Sequence, residues 1–541
     1  MVMAELIKQP NVYDTLLKVA DEAQAIIGST YGPRGRYVLL WKGSEPVVTN
    51  DGVTIAQNLS FPNPPENAVF NVIKQASLKT NNEVGDGTTA AIILASAFIK
   101  QAVSEVKNGA NPVLLKRGME WMLEKVANFI EEQAIPVASP DQIFQVATIS
   151  ANGDTIIGGL VTEAYMQIDE NGMILPTRSE TNEDYVQKVE GYFIDRSFIS
   201  PYLARGPVTE YNDVYVMLVD TRLWGIRPYL SLLDKAIGSG NPLLIIAEDI
   251  EGEFLQTLLA NRVQRNLPLA AVKAPEYGDK MKQILEDIAV ITGGTVIGMS
   301  VRPEAANLSH LGRASKVVID AERTVIVGEN PSQNKLRNRI EQLKELIKKN
   351  DEYRDFYEER LAKLTGGIAL LKVAGRTDAE YEERRMRVDD ALSAAIAAAE
   401  SGIVPGGATI FLRAYKYFKD QVETLEGFDK LTDDEKKGAQ ILIESLKEPI
   451  VKLAENSGVN PEELITNLMR MESPQGFDAL RLRYCNLIKE GIIDPVKVPI
   501  IALQSAVSAS GLLITTSSIY VEDTQVKGEF TAGLRARDGG V

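Results

Sequence analysis

The sequence predicts an α+β multidomain protein whose mainly helical ends fold together around an inserted α/β segment. Three observations predict it. Helical periodicity dominates residues 11–30, 66–130 and 407–515. Between about 187 and 330, short apolar runs alternate with helical patterns, as in α/β units with a buried sheet. The chain has 541 residues, too many for one core and enough for about three to four domains of ~150 residues each. Because the ends match in character and the middle differs, the polypeptide would cross twice between domains, which is the anatomy of a hinge.

Taken in order, residues 11–30 read as a helix. Thr30-Tyr31-Gly32-Pro33-Arg34-Gly35 is a strong turn signal. Residues 37–41 and 46–49 are strand-like runs on either side of Gly43-Ser44, and Asn50-Asp51-Gly52 is a second tight turn. From 66 to 130 the helical pattern breaks at Gly85 and at Asn108-Gly109-Ala110-Asn111-Pro112. Residues 131–186 are mixed and turn-rich. The apolar runs at 214–219, 242–247, 269–272 and 316–319 read as strands. Residues 334–364 read as one long charged helix, with Leu336, Ile340, Leu343 and Ile347 forming a single apolar stripe. A further helical run covers 378–401. The segment around Cys485 also reads as helix.

The most informative local feature is Val84-Gly85-Asp86-Gly87-Thr88-Thr89, followed at once by the apolar run at 90–99. Two glycines permit left-handed backbone and close approach. A helix N-terminus presents N–H groups to an anion. Asp86 could hold Mg²⁺, and the Thr88 and Thr89 hydroxyls could reach phosphate oxygens. The same residues are also good turn and helix-cap chemistry. The apolar character of the following helix places this N-terminus in a crevice.

Composition excludes several functions. The net charge of −16 argues against nonspecific nucleic-acid binding. One cysteine permits no internal disulfide, and Cys485 reads as a structural thiol. One histidine, His310, cannot build a histidine-rich zinc site. The first ten residues lack the apolar run of a signal peptide, and no stretch approaches ~18 uninterrupted apolar residues. The expectation is a cytoplasmic protein with no membrane partner.

Several stretches together carry a specific likeness. They include Thr30-Tyr-Gly-Pro-Arg-Gly35, Asp51-Gly-Val-Thr-Ile-Ala56, Gly85-Asp-Gly-Thr-Thr89, Ile245-Ile-Ala-Glu-Asp-Ile-Glu-Gly252, Val272-Lys-Ala-Pro275 with Gly278-Asp279, Ile291-Thr-Gly-Gly-Thr295, Val388-Asp-Asp-Ala-Leu392, Gly406-Gly407 and Gly491-Ile-Ile-Asp-Pro495. In their order and spacing the chain resembles the group I, GroEL-type chaperonins over nearly its whole length. The resemblance implies an equatorial ATP-binding domain (1–130 and 401–541), an intermediate hinge domain (131–186 and 369–400) and an apical domain (187–368). It implies an ATPase that captures unfolded polypeptides and encloses them for folding, in a homo-oligomer of 14 subunits in two rings with a GroES-type co-chaperonin.

Carried over by position, the resemblance puts Thr30, Tyr31, Gly32, Pro33, Asn50, Asp86, Gly87, Thr88, Thr89 and Ala90 around the ATP phosphates, with Asp86 on Mg²⁺ and K⁺ as a further ion. Gly406, Gly407, Asp478, Ala479, Leu480, Ile492 and Asp494 fall on the ribose and base side. Asp390 matches the catalytic carboxylate that orients water, with Asp51 beside it. Asp390 would complete the site when the hinge closes; outside the resemblance it reads as part of a solvated helix face. Phe198, Tyr202, Leu203, Leu230, Leu233, Leu255, Leu259 and Ala260 match the apical capture surface, although Leu255 and Leu259 also have ordinary helix-core spacing.

The chain departs from that pattern at several positions. Asn50 stands where lysine is usual, Asp478 and Leu480 replace asparagine and alanine, and Ala90 replaces a third threonine. Ala260 trims the capture patch, and residues 536–541 lack a Gly-Gly-Met tail. These changes suggest a divergent copy. Two other functions fit the phosphate loop: a ring scaffold with weak ATPase and no general folding activity, and a small-molecule kinase.

Overall fold

A computed structural model describes residues 4–522 apart from 9–10, 43–44, 152, 169–171, 180, 182, 190, 207, 299, 330–331 and 350–352. Gly43-Ser44 and residues 536–541 lie outside the described residues. The chain divides into two compact units. Unit one joins residues 1–162 to 382–541, and unit two is residues 163–381. The discontinuous architecture expected from the matching ends is therefore present.

The N-terminal part of unit one contains β1 (Ala4–Lys8), α1 (Asn11–Gly28), β2 (Val38–Lys42), β3 (Glu45–Thr49), α2 (Gly52–Asn58), α3 (Pro64–Val84), α4 (Thr88–Lys107), α5 (Pro112–Glu132) and α6 (Pro140–Ser150); α7 (Thr155–Gln167) runs on to unit two. Helix starts follow local chemistry. Asn111 caps α5 by accepting from Val113 N (2.9 Å), and Pro112 occupies the first turn, where no N–H is needed. Val12, Leu16, Val19, Ala23 and Ile27 form the buried stripe of α1. The hairpin expected at 37–49 is present as antiparallel β2 and β3. Tyr37, Leu39, Trp41 and Val48 point outward on it, all more than 60% exposed.

Unit two contains β4 (Met173–Arg178), β5 (Tyr185–Val189), β6 (Gly191–Ile194), β7 (Thr209–Leu223), α8 (Leu230–Gly238), β8 (Leu243–Ile250), α9 (Gly252–Arg265), β9 (Leu269–Lys273), α10 (Gly278–Thr292), β10 (Val296–Ile297), β11 (Gly312–Ile319), β12 (Thr324–Gly328), α11 (Gln333–Lys349), α12 (Arg354–Thr365) and β13 (Ile368–Val373). The main sheet runs β6-β12-β11-β7-β8-β9, with β10 also beside β7. β7, β8 and β9 are mutually parallel and buried on both faces, which explains their unbroken apolar runs. The four expected strands lie in β7, β8, β9 and β11. β4, β13 and β5 form a separate sheet.

The single helix expected over 334–364 is instead two, ending at Lys349 and restarting at Arg354. Tyr353, the residue before the second helix, has departed from helical backbone (φ −113°, ψ 18°). The apolar stripe on α11 is real: Leu336 and Leu343 are buried. Beneath α11 and α12, Asp287 is fully buried between two arginines. It receives Arg339 Nε at 2.7 Å and Arg360 Nε at 2.6 Å. Breaking such a pair leaves an uncompensated charge, so this network fixes how the helices dock on α10.

The chain re-enters unit one through α13 (Asp378–Ser401), followed by β14 (Ile403–Pro405), α14 (Thr409–Lys419), α15 (Asp433–Ser445), α16 (Glu448–Ser457), α17 (Pro461–Arg470), β15 (Gln475–Asp478), β16 (Arg483–Asn486), β17 (Ile493–Pro495), α18 (Lys497–Ile514) and β18 (Ser518–Glu522). Cys485 lies on strand β16, not on a helix. Its short apolar neighbourhood is too brief for periodicity to arbitrate, and antiparallel pairing with β15 decides the conformation. α4 and α18 are long and apolar enough to cross a membrane, but both are mostly buried inside unit one. β1 pairs with β18, joining the two ends of the chain.

Candidate functional site

Two left-handed glycines build the centre of the site. Gly85 (φ 68°) ends α3, and Gly87 (φ 77°) precedes α4. Residues with a β-carbon rarely adopt this backbone. Gly87 offers no side chain to cap α4, so no side chain satisfies the first-turn N–H groups of Thr88 and Thr89. Those groups suit an anion. Asp86 lies between the glycines, half-buried, and its Oδ1 accepts from Gly87 N at 2.6 Å.

Other segments of unit one converge on this loop. A β-carbon built on Gly52 would meet the hydroxyls of Thr89 and Thr88, so the 50–52 turn touches the start of α4. Asp51 there caps α2. Its carboxylate accepts from Val53 N (3.2 Å), Thr54 N (2.8 Å) and Thr54 Oγ1 (2.6 Å). Asn50 precedes it, half-buried. From the distant end of the chain, α13 crosses the loop directly. A β-carbon on Gly85 would lie 2.7 Å from Ser393 Cβ and 3.3 Å from Asp390 Cα. Asp390 is therefore brought to Asp86 and Asp51, not left on a solvated helix face.

The electrostatics of this convergence are lopsided. Burial, reinforced by Asp51, Asp86 and Asp389, pushes the Asp390 carboxyl up to about 8. Burial and the Asp86 charge raise Asp494 to about 7. Burial also raises Asp86, partly offset by the Gly87 N–H. Among the described residues no lysine or arginine offsets this repulsion. Such a crowd of carboxylates fits a cation. Among the described residues no three ligating side chains converge to hold one alone. Asp86 would hold Mg²⁺ there through its carboxylate, and the ion would supply the positive charge the cluster lacks.

The turn after α1 forms a second wall. The Thr30 hydroxyl and backbone N–H both donate to Ile27 O (2.8 and 3.1 Å), so in this structure Thr30 directs neither donor toward a phosphate. Gly32 and Pro33 are exposed. Burial first, then Asp494 and Asp86, push the Tyr31 hydroxyl far above its ordinary range. On the opposite side, Val404 pairs with Asp494 between β14 and β17, and Gly406 N donates to Ile492 O at 3.0 Å. A β-carbon on Gly406 would lie 2.8 Å from Asp494 Oδ1, and one on Gly407 would lie 3.8 Å from Ile492 Cγ2. Gly406, Gly407, Ile492 and Asp494 are therefore brought together. Ala90 and Ala479 are buried.

The carboxylate that Asp478 is expected to put on the base side is paired within its own hairpin. Burial would raise it, but Arg481 and the Leu480 and Arg481 N–H groups outweigh burial and hold it low. Its Oδ2 is paired with Arg481 Nη1 at 3.0 Å. Leu480 is exposed, and its carbonyl accepts from Arg34 Nη2 (2.8 Å) and Nε (3.2 Å). Arg34 thus ties the first turn to the base-side hairpin. Its place in the turn motif was visible in the sequence, but its partner, hundreds of residues away, was not.

Unit two carries the expected apolar surface only in part. Leu203 and Leu233 are core residues, 0% and 3% exposed, so they do not belong to a capture surface. Leu233 points inward because α8 shows its Leu232–Leu233–Ala236 side to the sheet. Phe198 is half-buried and bridges to Val272 on β9. Tyr202, Leu230 and Ala260 are exposed, while Leu255 and Leu259 are half-buried. Two residues were missed. Val263 continues the Leu255, Leu259 spacing along α9, and Trp224 lays its ring on Gly252 at the start of that helix; each is 66% exposed.

The model of the TCP-1/cpn60 chaperonin family matches residues 24–524. Among solved structures, the chain is similar to the chaperonin gp146 from bacteriophage EL (Pseudomonas aeruginosa), crystallised in the presence of ATP-BeFx. The match has a TM-score of 0.69 at 22% sequence identity and covers 96% of this chain and 99% of that one. The discontinuous helical unit, the inserted α/β unit and the family match over nearly the whole chain agree: this protein is a divergent member of the TCP-1/cpn60 chaperonin family.

Proposed function

We propose that the chain is the subunit of an ATP-driven folding chamber, with its nucleotide site in unit one and its polypeptide-binding surface in unit two. One observation carries the reading. The 85–89 loop, which contains the uncapped start of α4, meets Asp390 from a distant part of the chain at one place. The Mg²⁺ of a bound Mg-ATP would supply the positive charge that the carboxylate cluster lacks, and the nucleotide the phosphoanhydride to be cleaved.

The chain's own residues then have distinct tasks. Asp86 would hold the metal, and the first-turn N–H groups of α4 would hold phosphate oxygens. Gly406, Gly407, Ile492 and Asp494 would seat the sugar and base. Asp390 would orient the attacking water, and when ionised it can also take a proton from it. Phosphoryl transfer depends mostly on placement and charge, so this division of labour suffices for slow turnover. Asp390 lies on α13, whose first turn belongs to unit two and whose remainder belongs to unit one. Such a helix can couple turnover to the position of unit two, through an intermediate hinge at 131–186 and 369–400.

The exposed residues on α9, with Trp224, Leu230 and Tyr202, offer nondirectional burial to many unfolded chains. The exposed aromatic hairpin β2–β3 favours contact with further copies. A double ring of 14, a GroES-type lid, K⁺ dependence and a cytoplasmic setting complete the reading. It is tested by ATP binding and turnover of the purified protein with electron micrographs of its assembly. Asp390→Ala should still bind ATP while turnover falls by about 100-fold or more. Unchanged turnover would remove Asp390 from the mechanism. Binding without turnover in the wild type would favour the ring scaffold, and a monomer phosphorylating a small molecule would favour the kinase.

A further inference from the structure

We infer that Asn456 is a positioning residue for nucleotide binding: from α16, its carboxamide holds the turn after α1 in the shape that meets the phosphates. The inference rests on the proposed ATP site and adds a residue that neither the family resemblance nor the motifs assigned.

The turn begins where α1 ends, and a helix end leaves carbonyls without intrahelical partners. Local groups satisfy most of them. Ser29 Oγ donates to Ile26 O (2.7 Å), Thr30 Oγ1 to Ile27 O (2.8 Å), and Tyr31 N to Gly28 O (3.1 Å). What the local chain cannot do is fix the Gly28 and Tyr31 carbonyls relative to each other. Asn456 does so with one group. Its Nδ2 donates to Gly28 O and to Tyr31 O, each at 2.9 Å. A primary amide has two N–H donors on one nitrogen, which matches two converging acceptors.

The rest of α16 supports this geometry. Leu453, one turn earlier, packs so closely on Gly32 that a β-carbon there would overlap its Cδ1. The Lys452 stem lies against Gly28, 3.0 Å from where a β-carbon would be. Three successive contacts from one helix therefore back the 28–32 turn, while Arg34 ties its far end to Leu480. Backbone N–H groups of Tyr31, Arg36 and Gly35 hold the Gly28, Ser29 and Gly32 carbonyls; among the described residues Asn456 alone reaches the Tyr31 carbonyl, and it links that carbonyl to Gly28 O. Asn456 touches no expected ligand position itself and acts through the turn.

The test is a comparison of wild type, Asn456→Asp and Asn456→Ala in the assembled protein. Asp is nearly isosteric but turns both donors into acceptors facing two carbonyls. Should that variant fail to fold, the alanine variant carries the test. The readouts are the ATP dissociation constant, kcat at saturating ATP, and the thermal midpoint without nucleotide. We expect ATP affinity to fall about 10-fold in the alanine variant and further in the aspartate variant. The thermal midpoint should move by only a few degrees, and kcat should stay within about twofold. Unchanged ATP affinity in a folded variant overturns the inference. So does a loss of affinity that only tracks a loss of folded protein. If the wild type binds no ATP, the functional reading fails first, and that outcome is distinct from wild-type binding that Asn456 does not influence.

Discussion

Replacing Asp390 by asparagine removes a charge that the folded, nucleotide-free protein accommodates poorly. Burial, then Asp51, Asp86 and Asp389, place its carboxyl at about 8; in an unfolded chain an aspartate titrates near ~3.9. The folded state therefore binds this proton more tightly than the unfolded state does. Its stabilising contribution is fully present below pH ~4 and is lost as pH rises through about 8. At ~1.4 kcal/mol per pH unit, tapering near the upper value, the loss between pH 6 and 8 is about 2 kcal/mol at most. Asp494, at about 7, contributes in the same direction but remains in the variant. Comparing the two proteins thus isolates Asp390.

Asparagine has the shape of the protonated acid and cannot ionise. The two nucleotide-free proteins should be near parity at pH 6. By pH 8 the wild type should have lost about 1–2 kcal/mol more than the variant. Urea unfolding at pH 6, 7 and 8, with slopes compared as well as midpoints, reads the difference. Parallel losses in the two proteins would mean that Asp390 is already ionised, and the argument for a desolvated carboxylate cluster awaiting a cation would fall. Adding Mg-ATP should flatten the wild-type pH dependence.

Three further variants test the nucleotide loop and the apolar surface of unit two. Gly85→Ala forces a side chain into left-handed backbone 2.7 Å from Ser393 Cβ; it should cost about 1–3 kcal/mol and slow ATP turnover, read by thermal melting and a phosphate-release assay. Leu259→Glu with Val263→Glu places charge on the partly exposed side of α9 and should weaken binding of an unfolded protein while turnover stays within about twofold. Leu233→Glu, by contrast, should unfold unit two, because that residue is in the core.

What was legible in the sequence was whatever short-range chemistry dictates. Periodicity located the stripe of α1, and Gly85-Asp86-Gly87 marked the loop because left-handed backbone demands those residues. Apolar runs identified β7, β8 and β9, since strands buried on both faces need no alternation. What depends on distant partners was hidden. Nothing local distinguishes the buried Leu233 from the exposed Leu230 three residues away. The burial and three like charges around Asp390, the neutralisation of Asp478 by Arg481, and the reach of Asn456 to the turn after α1 all depend on tertiary contacts. The strand at Cys485 was misread because its pairing with β15, not its own pattern, sets its conformation.

The pairing of β1 with β18 has a consequence for biogenesis. Lys8 finds its partner, Ser518, only after nearly the entire polypeptide has been synthesised. At about 10 residues per second the N-terminal helices would wait roughly a minute on the ribosome, with the apolar faces of α1 and α4 lacking their C-terminal cover. Unit two, contiguous in the chain, can close much earlier. A newborn copy of this protein thus carries uncovered apolar faces until β18, the last strand among the described residues, has emerged.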